Sequence, residues 1–307
     1  MAAETPLLCK TCGANAVSGG ENLLCTTHFC EMVEKKVRTH IADQNLILDN
    51  EHIAVALSGG KDSTVLLYIL SKILSDFEGV KLTAITVDEG IPNYREQTLA
   101  YAQEVANFLN IEHRIISFRE TFGGPLPSLL KKRNVSACTL CGVLRRKILE
   151  QETFSMAVPK LATGHSLDDE AETAMMNILT ANIDAIINTA SPNSGKESLR
   201  IKPFSVLNEY EIALYGILKG IFREFPECPY AGPSLRAEVR QMFLSMKTKY
   251  PNITGQFADN YNSLLSSIAN VEKPSGKSKK ECNICGGPTS GDICRACILV
   301  DPKNNFC

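Results

Sequence analysis

The stretch Ser58-Gly59-Gly60-Lys61-Asp62-Ser63 separates a predicted buried strand at residues 52–57 from a predicted helix at residues 64–74. Its two glycines allow the backbone to turn sharply and to approach a ligand closely. The following helix begins with free N–H groups and the positive end of its dipole, which suit a phosphate. Lys61 adds a full positive charge, although the spacing of a Walker A loop is missing. The stretch predicts a phosphate loop, with a glycine turn capped by Asp62 or Ser63 as the alternative.

Strands and helices alternate along the chain on both sides of this loop. Further strands are predicted at 82–87, 112–117 and 160–163, and helices at 31–48, 95–109, 141–152, 168–179, 209–222 and 235–250. Residues 180–198 are polar and contain proline and glycine, so we predict a loop there. The alternation predicts an α/β fold, with a mostly parallel sheet that helices cover on both faces.

The composition excludes several classes of protein. The 307 residues are enough for about two domains. Hydrophobic residues make up 44% and charged residues 21%, a globular balance that excludes a disordered or fibrous chain. No apolar run approaches the roughly 18 residues of a membrane helix, and the first residues do not resemble a secretory signal. We therefore expect a cytoplasmic protein with no membrane partner. The net charge of −2 disfavours bulk capture of nucleic acid but leaves local basic patches open.

A second polar signature, TGHSLDDEAET at residues 163–173, also joins a predicted strand to a predicted helix. Asp168, Asp169 and Glu170 fall in the first helical turn, where the helix dipole favours acids, so capping explains some of them. Three acids are more than a cap needs. We therefore expect them to bind Mg²⁺ or to handle protons beside a bound phosphate.

Three cysteines in the middle of the chain form a separate set. Cys138 and Cys141 make a C-x2-C pair, and Cys228 stands alone downstream. Three thiolates can hold three irons of a [4Fe–4S] cluster and leave the fourth iron open to a ligand such as hydrosulfide. Two alternatives stay open, namely disulfide or persulfide chemistry on the pair and buried structural thiols.

The cysteines at both ends of the chain have the spacing of zinc ligands. Cys9-x2-Cys12 precedes Cys25-x2-His28, and Cys282-x2-Cys285 precedes Cys294-x2-Cys297. Four such ligands fit a closed, tetrahedral, structural zinc site. Cys30 could compete with His28, and Cys307 has no assignment. We predict zinc modules at residues 1–30 and 272–307, on either side of a catalytic domain at residues 31–271.

Several of these motifs resemble those of a known superfamily. SGGKDS resembles the PP-loop of the ATP pyrophosphatases, which grips the pyrophosphate part of ATP. The chain as a whole resembles the archaeal and eukaryotic cytosolic tRNA 2-thiolation protein family, which is close to the TtuA enzymes. The resemblance also rests on CTLCGVLRR at residues 138–146, on Cys228-Pro229-Tyr230 and on the terminal modules. One departure is Arg145, where the TtuA relatives carry a catalytic lysine; arginine keeps the charge but cannot act as a neutral base.

This resemblance implies roles for individual residues. It implies a PP-loop fold, a [4Fe–4S] cluster on Cys138, Cys141 and Cys228, and catalytic roles for these cysteines. It also implies that Lys61, Arg145 and Asp169 act at the reacting phosphate, with Mg²⁺ as a further cofactor. The residues implied in ATP binding are Ala56, Leu57, Ser58, Gly59, Gly60, Lys61, Asp62, Ser63, Val87, Gly164 and Asp169. The implied partners are tRNA, ATP, a thiocarboxylated ubiquitin-like carrier or free sulfide, and a second copy of the chain.

The reaction implied by the resemblance is the synthesis of 2-thiouridine. ATP adenylates the uridine O2, and sulfur then displaces AMP from C2. CTLCGVLRR and residues 87–91 resemble the wobble-position enzymes more closely, so we expect uridine 34, with uridine 54 as the alternative. Thiolation through a persulfide, a PP-loop amidotransferase or ligase, and a zinc-based RNA-binding scaffold are the rival hypotheses. The basic runs at 131–133 and 145–147 flank the central cysteines, and we interpret them as candidates for contacts with the tRNA backbone, with ordinary solvated surface as the alternative.

Overall fold

The computed structural model describes residues 7–19, 23–131, 133–190, 199–271, 280–289 and 291–300. Its strands are β1 (His52–Ala56), β2 (Lys81–Asp88), β3 (Glu112–Ser117), β4 (Lys160–Ala162), β5 (Leu199–Ile201), β6 (Lys280–Glu281) and β7 (Pro288–Thr289). Its helices are α1 (Thr26–Asp43), α2 (Lys61–Ile73), α3 (Arg95–Phe108), α4 (Phe118–Phe122), α5 (Leu126–Leu130), α6 (Ala137–Ser155), α7 (Leu167–Leu179), α8 (Ile183–Ala190), α9 (Glu209–Leu218), α10 (Leu235–Lys247), α11 (Ile253–Val271) and α12 (Arg295–Val300).

Strands β1 to β5 form one parallel sheet in the order β3-β2-β1-β4-β5. In the central strand, Val55 aligns with Ala84 of β2 on one side and with Ala162 of β4 on the other. Along the chain, β2 and β3 are therefore added on one side of β1, and β4 and β5 are then added on its other side. Between β1 and β4 the direction of growth reverses, and ligands of open parallel sheets bind in the crevice beyond such strands. The predicted α/β fold is confirmed, and this topology places a binding site where β1 and β4 end.

Alternate residues of the central strands face different layers of helices. Ile53 and Val55 are fully buried in a core that also contains residues of α1, α2, α3 and α9. Ala54 points to the opposite face, where it is buried with Leu161 and packs near Leu149 of α6. Because helices cover both faces, residues 53–56 of β1 are all apolar instead of alternating with polar residues.

The structure corrects the predicted loop at residues 180–198. Helix α8 occupies Ile183–Ala190, and residues 191–198 lie outside the described residues. The sequence analysis also contains no helix at Ile253–Val271, where the structure has α11. Helices α7, α8, α10 and α11 contact one another. Most helical stability comes from packing of this kind, which the local sequence of a short segment does not report.

The terminal modules extend this fold in different ways. The N-terminal module leads directly into α1, whereas α12 of the C-terminal module packs against α6. Cys282 and Cys294 are buried in the same cluster as Leu140 and Leu144 of α6. The division into domains at 1–30, 31–271 and 272–307 stays a prediction. Among the described helices, none has the length and apolar character that a membrane span requires.

Candidate active site

The phosphate loop has the geometry of an anion site at the carboxyl end of β1. Gly59 has a φ of +83°, and a Cβ added to it would overlap the carbonyl oxygen of Thr98. This position therefore requires glycine both for its conformation and for its close packing. Gly60 precedes the first residue of α2, so the free N–H groups of the helix open at the loop. An anion placed there would meet backbone donors and the positive end of the helix dipole.

Side chains of the loop hold its backbone in place. The Ser63 hydroxyl accepts a hydrogen bond from the Ser58 N–H (3.1 Å) and donates one to the Gly60 carbonyl (3.0 Å). The Ser58 hydroxyl accepts from the Gly60 N–H (3.2 Å). The Lys61 ammonium contacts the Asp62 carboxylate at 2.7 Å and is about one quarter exposed. These bonds preorganise the loop and leave a cation at its opening.

Gly164 packs against the phosphate loop from the end of β4. A Cβ at Gly164 would lie 2.9 Å from both the carbonyl carbon and the oxygen of Asp62, and 3.1 Å from the Ser63 nitrogen. Close contact with the loop backbone therefore explains why residue 164 is a glycine. Its predicted contact with ATP stays a prediction.

We expect Gly164→Ala to destabilise the protein by about 1–3 kcal/mol, because the loop must shift to admit the methyl group. ATP binding should weaken with it, since the displaced backbone lies at the helix start. Urea unfolding and ATP titration measure the two effects. Gly142→Ala is the control for stability. No heavy atom lies within 4 Å of its added Cβ, and alanine in a helix is favoured by about 0.5–1 kcal/mol. Equal unfolding midpoints for Gly164→Ala and the wild type would contradict the packing argument.

The acids at the start of α7 are largely paired within the protein. Asp169 forms a capping box with Ser166, in which its carboxylate accepts the Ser166 N–H at 3.0 Å. Asp168 accepts the Glu209 N–H at 2.8 Å and pairs with Lys247. Glu170 pairs with Lys202 at 2.7 Å. Capping and ion pairs therefore account for these three acids, and the predicted Mg²⁺ site at them stays a prediction.

Two arginines of α10 reach the same region, and the sequence analysis missed both. Glu172 is almost fully buried and accepts hydrogen bonds from Arg236 (3.0 Å) and Arg240 (2.7 and 3.2 Å). The Asp169 carboxylate lies 3.7 Å from each guanidinium. Arg240 also contacts Glu209 at 3.1 Å. The i, i+4 spacing of the two arginines was the available signal, because it places both on one face of the helix.

A buried arginine links the phosphate loop to the end of β2. Arg95 donates to the Ser58 carbonyl (2.6 Å) and to the Val87 carbonyl (3.1 and 2.5 Å). It also pairs with Glu89 at 2.8 Å, and both side chains are about 5% exposed. Glu89 lies 3.6 Å from Arg145 of α6. Arg95 and Glu89 were not predicted as site residues, because Arg95 looks in sequence like an ordinary first residue of a helix.

One cavity of about 700 Å³ joins these elements. Its lining includes the predicted site residues Ser58, Gly60, Lys61, Asp62, Cys138, Cys141, Arg145 and Cys228, together with Glu89, Arg95 and Arg240. The structure therefore brings the phosphate loop and all three central cysteines to one place. Other predicted site residues lie outside this lining, namely Ala56, Leu57, Gly59, Ser63, Val87, Gly164 and Asp169. The functional roles assigned to both groups stay predictions.

The three central cysteines come from two parts of the chain. Helix α6 begins at Ala137, earlier than predicted, so Cys138 and Cys141 lie in its first turns. Cys228 follows α9. Two residues further on, the Tyr230 carbonyl oxygen accepts a hydrogen bond from the Cys138 thiol at 3.7 Å. Burial raises the pKa of the Cys141 thiol to about 11, although Arg145 acts in the opposite direction. A thiolate at Cys141 therefore needs a cationic partner such as a metal.

The spacing of the sulfur atoms distinguishes the three cysteine sets. In each terminal set, all four ligand atoms lie within 4.8 Å of one another, as one tetrahedral zinc ion requires. In the described residues, Cys138, Cys141 and Cys228 do not form such a close group. Thiolates bound to separate irons of one cluster lie farther apart than thiolates on a single ion. Three thiols are a donor set that a [4Fe–4S] cluster uses, so the residues present fit such a cluster.

The N-terminal set lies around the first turn of α1. The Cys12 and Cys25 sulfurs are 3.7 Å apart, and the His28 Nδ1 lies 3.3 Å from Cys25 and 3.5 Å from Cys9. Cys30 is buried in the main core instead. The C-x2-H register predicted for this module therefore agrees with the geometry, since Cys30 faces away from the other ligands.

A tight turn after the first cysteine pair holds the C-terminal set. Cys285 and Cys294 are 3.7 Å apart, and Cys282 accepts the Cys294 N–H at 3.2 Å. Gly286 has a φ of +68° directly after the first pair, and its N–H bonds to the Cys282 carbonyl at 2.8 Å. Both terminal sets thus fit structural zinc, and neither borders the cavity of the phosphate loop.

Comparison with known proteins first defines the class. A family model described as the PP-loop domain matches residues 29–215. This range contains the phosphate loop, the strand order and the helix that carries Cys138 and Cys141. The fold and the loop therefore define a PP-loop ATP-binding domain.

Individual relatives then define the family. The chain is 34% identical to the tRNA 2-thiolation protein NcsA of Haloferax volcanii, over 95% of this chain and 98% of the relative. It is 30% identical to the tRNA-5-methyluridine(54) 2-sulfurtransferase of Pyrococcus horikoshii, over 94% and 92%. The structure matches that of the U34-tRNA thiolase NcsA from Methanococcus maripaludis with its [4Fe–4S] cluster, with a TM-score of 0.83, 28% identity and 95% of both chains. The chain belongs to the tRNA 2-thiolation protein family, a family of tRNA sulfurtransferases.

Proposed function

We propose that this protein uses ATP to replace the O2 of a tRNA uridine with sulfur. The observation that carries the proposal is the single cavity lined by Lys61 of the phosphate loop and by Cys138, Cys141 and Cys228. Activation of the uridine needs a site for ATP, and the substitution needs a place to hold sulfur. One cavity that contains both sets of residues fits a reaction in two stages at one base.

The phosphate loop would act in the first stage. The uridine O2 attacks the α-phosphorus of ATP, and the bond to pyrophosphate breaks with its electron pair on pyrophosphate. Lys61 and the first amides of α2 would stabilise the charge on the departing group. Arg145 is half exposed at the cavity. It would orient a phosphate as a permanent cation, and it would not accept a proton.

The cysteine set would serve the second stage. A [4Fe–4S] cluster on Cys138, Cys141 and Cys228 would supply an open iron able to bind sulfide. Sulfur then attacks C2 of the adenylated uridine, and AMP leaves with the electron pair of the C2–O bond. The uridine must leave its stack to enter the cavity, as bases in tRNA loops can at modest cost.

The amidotransferase or ligase hypothesis shares the first stage but not the second. It uses an amine as nucleophile and gives no reason for three cysteines at the phosphate loop. The persulfide hypothesis needs two thiols within bonding reach and uses no iron. We favour the cluster because a third cysteine joins the pair in the cavity and because a relative of matching fold is described with a [4Fe–4S] cluster.

We propose uridine 34 as the target, with uridine 54 as the alternative. Relatives named for each position match the chain along nearly its full length. The preference rests on CTLCGVLRR and residues 87–91.

We also propose structural zinc in both terminal sets, Mg²⁺ with the bound ATP, and a homodimer acting in the cytoplasm. The proposed sulfur donor is a thiocarboxylated ubiquitin-like carrier or free sulfide.

The test is a thiolation assay with the anaerobically purified protein, ATP, sulfide and tRNA transcripts. With the wild-type transcript, nucleoside mass spectrometry should detect 2-thiouridine in the RNA, and the reaction should release an equal amount of free AMP. A transcript with cytidine at position 34 should give no product, whereas one with cytidine at position 54 should react normally. The reverse pattern would establish uridine 54 as the target. AMP without any thiolated nucleoside, but with amine incorporated, would sink the proposal in favour of a ligase.

A further inference from the structure

Helix α6 lies between two of the cysteine sets. One face carries Cys138, Cys141 and Arg145, which line the cavity of the phosphate loop. The other face packs Leu140 and Leu144 into the apolar cluster that contains Cys282 and Cys294. A helix is a stiff element about 10 Å across, so the C-terminal module lies directly behind the iron–sulfur ligands.

Two cationic side chains join the C-terminal module to the body of the protein. Lys147 of α6 is 7% exposed, and its ammonium lies beside Gly287 and the Cys285 sulfur of the zinc module. The Arg133 guanidinium donates to the carbonyls of Leu299 and Val300 at the end of α12. Both residues belong to the basic runs that are candidates for contacts with the tRNA backbone. These two residues have partners within the protein, and tRNA contact by the rest of the basic runs stays a prediction.

The position of Lys147 depends on a glycine of the zinc module. A Cβ at Gly287 would overlap the Lys147 ammonium. Four thiolates around one Zn²⁺ carry a net charge of about −2, so a buried ammonium at Cys285 is electrostatically favourable. A lysine is rarely buried without such a partner. The contact therefore joins the two elements through charge as well as through packing.

We propose that Lys147 is a positioning residue, which fastens the C-terminal zinc module to α6 and thereby holds Cys138 and Cys141 in their ligand geometry. Zinc bound at one end of the chain would then set how firmly the iron–sulfur site is held. The N-terminal zinc set has no such contact with α6 in the described residues. The inference rests on the proposed function in so far as it requires a cluster at the central cysteines.

The test compares iron release from anaerobically loaded protein. A ferrous chelator is added, and the visible absorbance of the cluster is followed while zinc per chain is measured separately. Lys147→Met and Cys297→Ser should each release iron at least about tenfold faster than the wild type, as removal of outer partners of metal ligands typically does. Cys12→Ser removes a ligand of the other zinc set and should release iron at the wild-type rate.

A control variant and a second measurement separate the possible outcomes. Arg146→Met is the matched control on α6, since this side chain is exposed and its Nε donates to Gly142 of its own helix. ATP affinity should be unchanged in every variant, which separates loss of cluster positioning from general unfolding. Wild-type iron release in Lys147→Met and Cys297→Ser would overturn this inference alone, as would equal acceleration in Cys12→Ser. A wild-type protein without iron and labile sulfide would instead overturn the cluster, and this inference with it.

Discussion

Replacement of Cys228 by alanine should abolish tRNA thiolation, with a fall of at least about 10³-fold in the single-turnover rate. Cys228 reaches the cavity from the segment after α9, whereas Cys138 and Cys141 share one helix. A cluster that loses this ligand is held from one side only. Removal of one member of a chemical unit typically costs nearly as much as removal of the whole unit. ATP binding should survive, because the phosphate loop makes its own bonds.

Iron and acid-labile sulfide per chain measure the cause of that loss. The wild type should hold about four irons, and Cys228→Ala should hold fewer or lose them quickly. Cys30→Ala is the matched control, because Cys30 is buried in the main core and belongs to neither terminal set of metal-ligand atoms. A Cys228→Ala variant with full iron content and normal thiolation would show that this cysteine ligates nothing. Zinc alone in the wild type, even after anaerobic reconstitution, would favour persulfide chemistry.

Lys61→Met should lower the rate of tRNA adenylation by about 10²–10³-fold, the usual cost of losing one group that stabilises transition-state charge. Lys61 is the first residue of α2, directly after the glycines of the phosphate loop, and it lines the cavity. Methionine keeps the length of the side chain and removes the charge. Release of pyrophosphate in a single turnover measures the effect, and iron content should not change.

The control for this variant lies on the same helix. Lys72→Met makes the identical substitution at the other end of α2, where the ammonium pairs with Glu34 at 2.7 Å. This variant should lose some stability but adenylate normally. Equal adenylation rates in Lys61→Met and the wild type would remove the lysine from the reaction and leave the backbone amides as the anion site.

The central sheet and the phosphate loop were predictable because their signals are local. The apolar run 53–57 closely precedes two glycines, a pattern typical of a buried strand followed by a tight turn. The predicted strand at 112–117 agrees with β3, residue for residue. Helix ends were less accurate; for example, α6 begins at Ala137 although we predicted residue 141. Ser136 caps that helix through its side chain, and the loop before it offered no apolar period to reveal the start.

The parts of the site that were missed depend on contacts distant in sequence. Arg95 bonds to Ser58 and Val87, and Arg240 bonds to Glu172. Their own neighbourhoods look like ordinary charged helix surfaces. Conversely, Asp169, for which the resemblance implies a catalytic role, has a carboxylate that caps its own helix, and that role stays a prediction. A list of polar residues does not say which of them become partners, because tertiary packing decides the pairing.

The segment between α9 and α10, which carries Cys228, contains no helix or strand. A metal group shared between this segment and α6 would act as a cross-link that closes a long loop of chain. Such closure restricts the unfolded chain more strongly than it adds contacts to the folded one. Helix α6 and the segment after α9 would have to lie side by side before the Cys228 thiol could join Cys138 and Cys141 at one metal group. Loading of such a cluster would therefore follow the synthesis and folding of the sheet.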